Sequence, residues 1–290
     1  MAATSLPAKF AADDGARRQS LAYLFAIFGI GLIFLYFSDI RNASILWSTD
    51  EMYQHGWFIF PISALLVLWR RDEIAKAERR PEWLGVILLG IGLAAGVMAY
   101  VMQIPDVGMW SIVPAIAGAV IALHGRPMWR IVGFAVCFLI FAGPLPGSQV
   151  ATVSGIVQRV STTGAAFTAS TLGYPLVQQG NYIQLPQGTL EIADVCSGFK
   201  KLTSFLAFGC LWAYLYPISM WRRVLLVLSA VPISILANIV RISALIAVTS
   251  SGGVAALNRA HDAAEYAVLI LGFGLFVLVG KWLGCDRIRF

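Results

Sequence analysis

Eight stretches of almost unbroken apolar residues, at about 21–39, 57–69, 83–102, 110–124, 130–143, 197–216, 224–249 and 266–283, constrain this chain more than any other feature. A helix crossing the hydrocarbon of a bilayer needs about 20 apolar residues, because each residue advances only about 1.5 Å. In lipid a helix also satisfies its own backbone hydrogen bonds, which an open strand or loop cannot do. The pattern therefore predicts an all-α polytopic membrane protein with about eight transmembrane helices; the shorter runs at 57–69 and 130–143 are expected to borrow flanking residues. Composition agrees: 59% of the 290 residues are apolar and 12% are charged, with a mean hydropathy of +0.77, far from the usual make-up of a soluble domain.

The charges orient these spans. Threading them from a cytoplasmic N-terminus puts 15 of the 21 basic residues on the cytoplasmic side, among them Arg70, Arg71, Arg79, Arg80, Arg222 and Arg223. That is the excess expected of inner loops, and it accounts for the net charge of +6 without a nucleic-acid partner. Residues 1–20 contain no contiguous apolar core and no cleavage signature, so they read as a retained cytoplasmic tail. A single transmembrane domain is expected over 21–283, with a second cytoplasmic tail at 284–290, in a multi-pass protein of the bacterial inner (plasma) membrane.

One outer connection, at about 144–195, is long. Its first half carries small and apolar residues at helical spacing and suggests an amphipathic segment at the outer interface. Its second half, GYPLVQQGNYIQLPQGTLEIADV, alternates Tyr182, Ile183, Leu185 with Leu190, Ile192 between Gly and Pro turns, which predicts a small β-hairpin leading into Cys196.

Topology brings polar residues together. Cys196 falls at the outer mouth of the sixth span. Arg241 lies 18 residues beyond Arg223, about 27 Å along a helix, and so returns to the outer side. His261 lies in the outer loop before the last span. Singly, each has an ordinary explanation: a structural thiol, a snorkelling arginine, a loop histidine. Arg241 strains its explanation, because ANIVRISAL embeds it with Asn238, three residues earlier on the same face, in an otherwise apolar helix. A thiolate, a proton carrier and a guanidinium are a set suited to acyl transfer. Cys196 opens a helix, where the backbone N–H groups favour the thiolate. Asn238, Ser197, Lys200 and His55 are candidates for positioning substrate, although Lys200 and its neighbour Lys201 also suit lipid phosphate. No cysteine spacing marks a zinc site or disulfide framework, and no metal or cofactor is expected.

These segments resemble the exosortase/archaeosortase family of membrane sorting enzymes. The resemblance rests on VCSGFKKL around Cys196, NIVRI around Arg241 and AHDAAEY around His261, with QHGWFIFPISALLVLWRR and FAGPLPGSQ upstream, and covers about residues 50–283. It implies a cysteine peptidase or transpeptidase with Cys196 as nucleophile and Arg241 and His261 completing the site. The implied substrates are exported proteins ending in a short motif, one transmembrane helix and a basic tail, cleaved at the outer face, with an unknown acyl acceptor. Two positions depart from the pattern: Lys200 stands where an arginine is expected, and Glu265 where a glycine usually follows the histidine by four. The rival readings are an outer-leaflet lipid-phosphate phosphatase or transferase, and a non-enzymatic factor for polysaccharide export or assembly.

Overall fold

The computed structural model describes residues 30–31, 34–145, 147–192 and 199–285, with the side chains at 105, 147–149, 199, 200, 254, 258, 261 and 262 outside the description. The expected N-terminal tail, Cys196 and Ser197 thus lie outside the described residues, as does all of the C-terminal tail beyond Cys285. The described chain is helical apart from one small sheet. Its helices are α1 (34–49), α2 (Gly56–Trp69), α3 (Arg71–Lys76), α4 (Trp83–Met102), α5 (Pro105–Phe138), α6 (Gly147–Thr171), α7 (Phe199–Leu215), α8 (Met220–Leu228) and α9 (Ala230–Trp282). Among the described residues four helical stretches are long and apolar enough to cross a membrane: Trp83–Met102, Asp106–Ala142, Met220–Gly253 and Ala263–Trp282. Gly56–Trp69 and Lys201–Leu215 are apolar but shorter. This is a multi-pass helical membrane protein.

Two long helices are each two helices joined at a glycine. Gly125 in α5 has φ 79° and ψ −172°, and Gly253 in α9 has φ 65° and ψ −165°. Only glycine reaches that region without strain. At 53 residues α9 would measure about 80 Å if straight, far more than a bilayer needs. The joint resolves it into a segment 230–252 and a segment 254–282, close to the two apolar runs expected at 224–249 and 266–283. The first of those runs begins in α8, which Ser229 separates from α9.

The chain gathers into two compact units, residues 34–45 with Ala77–Trp129, and Leu46–Lys76 with Arg130 onward. In the first, α4 meets α5 through small residues. A Cβ on Gly92 would lie 2.4 Å from the Ala115 backbone nitrogen, and one on Gly118 2.2 Å from that of Leu89. Lipid offers no hydrophobic drive between helices, so such close backbone approach is what gains the packing contacts. The other face of α4 displays Ile87, Ile91, Met98 and Val101. Tyr36 Oη closes the packing, 3.3 Å from Gly92 O and 3.1 Å from Ser111 Oγ.

The second unit has two cores. Leu202, Phe205, Leu226, Ile233 and Phe276 join α7, α8 and both parts of α9. Ala165, Ala166 and Ala169 of α6 pack with Ile242, Leu245 and Ile246 of α9 and with the inner face of the sheet. That sheet is a three-stranded antiparallel meander, β1 (Val177–Gln179), β2 (Tyr182–Leu185) and β3 (Gly188–Glu191), one strand more than the expected hairpin. The register sets Ile183 opposite Leu190, and these two with Leu185 and Ile192 face inward, as a period of two requires. The extra strand, Val-Gln-Gln, lacks the apolar alternation that marks the other two. Likewise α6 is more than an interfacial segment: Ser154, Gln158, Ser161, Thr162, Ala165 and Ala169 form a buried stripe of small and polar residues at spacings of three and four.

Candidate functional site

The site belongs to the second unit and is assembled from three places in the sequence. The first part of α9 supplies Asn238 and Arg241, one helical turn apart and only 2% and 5% exposed. Hiding a guanidinium this thoroughly is costly unless charges and hydrogen bonds surround it. The second part of α9 supplies the counter-charge: Glu265 Oε2 lies 3.6 Å from Arg241 Nη2. The first turn of α7 supplies Lys201, whose ammonium donates to Glu265 Oε1. One carboxylate thereby engages two cations from two other segments, and all three side chains are at least four-fifths buried.

Beside this corner lies a cavity of about 370 Å³ lined by Glu51, Gln54, Lys201, Glu265, Tyr266 and Leu269, within the range of small ligand sites. Glu51 and Gln54 reach it from the connection between α1 and α2. No group of three or more His, Cys, Asp or Glu residues that could hold a metal is gathered among the described residues.

The chain feeding this corner is tied down just before it enters the undescribed stretch 193–198. Ile192 N–H donates to Asn181 O at 3.0 Å, and Ile192 O accepts from Gln158 Nε2. Asn181 Nδ2 in turn donates to Gln158 Oε1 at 2.7 Å. Four residues later comes Cys196. From there to Lys201 the chain spans at most about 19 Å, even fully extended.

The other sequence-derived candidates divide. Asn238 and Arg241 stand in the corner. Lys200 has its backbone in the first turn of α7, with Lys201 the neighbour that reaches Glu265. His261 lies in the helix α9, not in a loop as expected, four residues ahead of Glu265. His55 is at the start of α2, where its Nε2 is 3.1 Å from Phe141 O. Burial pushes its imidazole below the ordinary histidine range, while hydrogen bonds with the Phe141 and Met52 backbone act the other way. Next to it, a Cβ on Gly56 would meet the Trp47 indole at 2.2 Å, and Trp47 Nε1–H donates to Ala142 O at 2.9 Å. The His-Gly pair therefore packs the start of α2 against the turn Leu139–Ala142.

Sequence reasoning missed Lys201 and Glu265 as partners. It registered Glu265 only as a departure, because a pairing across three helical segments leaves no periodic trace. The signal available was the cost of charge in apolar surroundings: a glutamate and a lysine at the ends of apolar runs and an arginine within one invite pairing.

The described fold is thus a helical multi-pass membrane protein with an arginine and an asparagine buried in an apolar helix, where ionisable residues mark candidate functional sites. The transmembrane exosortase family (Exosortase_EpsH) matches residues 47–278, and the chain belongs to that family, whose members are membrane sorting transpeptidases. The match takes in α2, the corner and most of α9. Neither the curated proteins nor the solved structures contain a match.

Proposed function

We propose that the protein is a cysteine peptidase or transpeptidase that removes the C-terminal sorting signal of exported proteins at the outer face of the membrane. The observation that carries this reading is the convergence of Lys201, Arg241 and Glu265. These residues come from the helix that follows Cys196, the helix that holds the Asn-x-x-Arg segment, and the helix that holds His261.

The substrate's transmembrane helix docks laterally and its basic tail remains in the cytoplasm. The Cys196 thiolate attacks the scissile carbonyl, forming a C–S bond, and the electron pair moves onto oxygen. Arg241 balances that oxyanion, with Asn238 one turn away as a hydrogen-bonding group. The C–N bond then breaks, and the leaving amine takes a proton from the His261 imidazolium. The product is a thioester on Cys196, which water hydrolyses or an acceptor amine captures, with His261 taking up the proton. Ser197 and Lys200 flank the nucleophile and position substrate. Both termini lie in the cytoplasm, residues 21–283 act as one catalytic domain, and the sheet and α6 hold the approach to Cys196.

Co-expression with a protein of the same genome that ends in a short motif, one apolar helix and a basic tail tests this. Wild type should shorten the partner, and Cys196→Ala, Arg241→Ala and His261→Ala should each lower cleavage by about 100-fold or more. His55→Ala should cost less activity than His261→Ala, because His55 is engaged with Phe141. Undiminished cleavage by Cys196→Ala would refute the reading. A lipid-phosphate enzyme would leave Cys196 without a role, so activity on a lipid phosphate that survives Cys196→Ser would favour that rival instead.

A further inference from the structure

Glu265 has no part in the chemistry just described, yet it touches both cations of the corner. At this level its helix turns one face outward, with Tyr266 69% and Ile270 73% exposed, while Val268 on the other face is buried. Lysine and arginine carry long stems with many rotamers, and a fixed carboxylate between them removes that freedom. Glu265 also forms one wall of the cavity, with Lys201 beside it and Glu51 and Gln54 among the other lining residues. A salt bridge that only braced the fold would have no need to border the cavity or to face the arginine beside Asn238.

We propose that Glu265 is a positioning residue of the site: it holds the Lys201 ammonium at the cavity wall and restrains the Arg241 guanidinium it pairs with, and through Arg241 it fixes where the scissile carbonyl is received. This rests on the reading of Arg241 as the group that balances the oxyanion. Glu265 does not touch the reacting atoms; it acts by removing misaligned states of a group that does. Its effect should therefore fall on turnover and not on substrate binding.

The test uses the full chain in proteoliposomes with a reporter protein carrying a sorting signal from the same genome. Glu265→Gln keeps the shape and loses the charge; Glu265→Asp keeps the charge on a shorter stem. Glu265→Gln should lose about tenfold in kcat with KM changed less than about threefold, and Glu265→Asp should regain part of the loss. A second readout needs no substrate: reductive methylation of Lys201, mapped by peptide mass spectrometry. Deprived of its partner, the amine should label about fivefold faster in Glu265→Gln and near the wild-type rate in Glu265→Asp. Unchanged kcat per folded molecule in Glu265→Gln, even with less folded protein, would overturn the proposal and leave a purely structural ion pair. Unchanged Lys201 labelling would overturn it too. Cleavage that survives Cys196→Ala would sink the functional reading instead, and the labelling experiment would still decide whether Glu265 clasps Lys201.

Discussion

The two parts of α9 differ sharply although one glycine joins them. The part before Gly253 carries the longer buried stripe: Ala230, Ala237, Asn238, Ile242, Ile246 and Thr249 are all nearly sealed, while Leu236 and Val240 on its other face stand exposed. The part after it buries Val268 and Phe276, while Tyr266, Ile270, Leu278 and Trp282 stand exposed. The packed part carries Arg241 and the exposed part carries Glu265 and His261. A guanidinium needs rigid surroundings to be placed accurately, whereas groups that meet an incoming substrate must lie where something can approach. The ion pair from Glu265 to Arg241 links the two conditions.

Breaking the anchor of the exposed part should have the largest effect. Phe276 is sealed against Phe205 and Phe208, with ring centroids 5.6 and 5.7 Å away, so Phe276→Ala should cost about 3–5 kcal/mol. A thermal melt in detergent should show this as a large drop in midpoint, and Ile246→Ala in the packed part should cost about 2–5 kcal/mol. Arg241→Lys tests the site without removing the charge. It loses the planar fork, and cleavage should fall by about tenfold or more while the melting midpoint stays near wild type.

The joint itself comes next. With φ 65° and ψ −165°, Gly253→Ala should cost about 1–3 kcal/mol by forcing an L-residue into a glycine conformation. Activity should fall with it as the two parts lose their alignment; a variant as stable and active as wild type would dissolve the distinction between them. A smaller effect outside α9 serves as a control. Since burial lowers the His55 pKa in the folded protein, the unfolded chain takes up a proton first as pH falls. The stability His55 contributes is thus complete above about pH 6.5 and is lost as pH drops through its lower folded pKa, by at most about 1.4 kcal/mol per unit. Melts of His55→Phe between pH 7.5 and 5 should lose that slope. The smallest change is expected at Ile270, 73% exposed, where Ile270→Ala should move stability by less than about 0.5 kcal/mol.

Hydropathy made the helices legible. The run at 83–102 is α4 residue for residue, and the runs at 224–249 and 266–283 correspond to α8 with the first part of α9 and to the second part of α9, because spanning length and apolar character are local properties of the chain. The strand Val177–Gln179 was not legible, since its pairing depends on β2 and not on its own composition. The burial of α6 was read only as interfacial, because a stripe of small polar residues looks amphipathic until its partner, α9, is known. At the site, Arg241 and Asn238 stood out because charge and amide are costly in an apolar run. Lys201 and Glu265 did not, because their meaning comes from the partner each finds across the fold.

The most direct test of the account is the mass of the Cys196 peptide isolated from protein co-expressed with its sorting-signal substrate and quenched in acid. Cys196 is expected to carry an adduct matching the substrate fragment upstream of the cleavage point, released by hydroxylamine as a thioester is and absent from controls run without substrate. Substrate cleaved at the full rate with Cys196 unmodified throughout, and cleaved equally by Cys196→Ala, would contradict it.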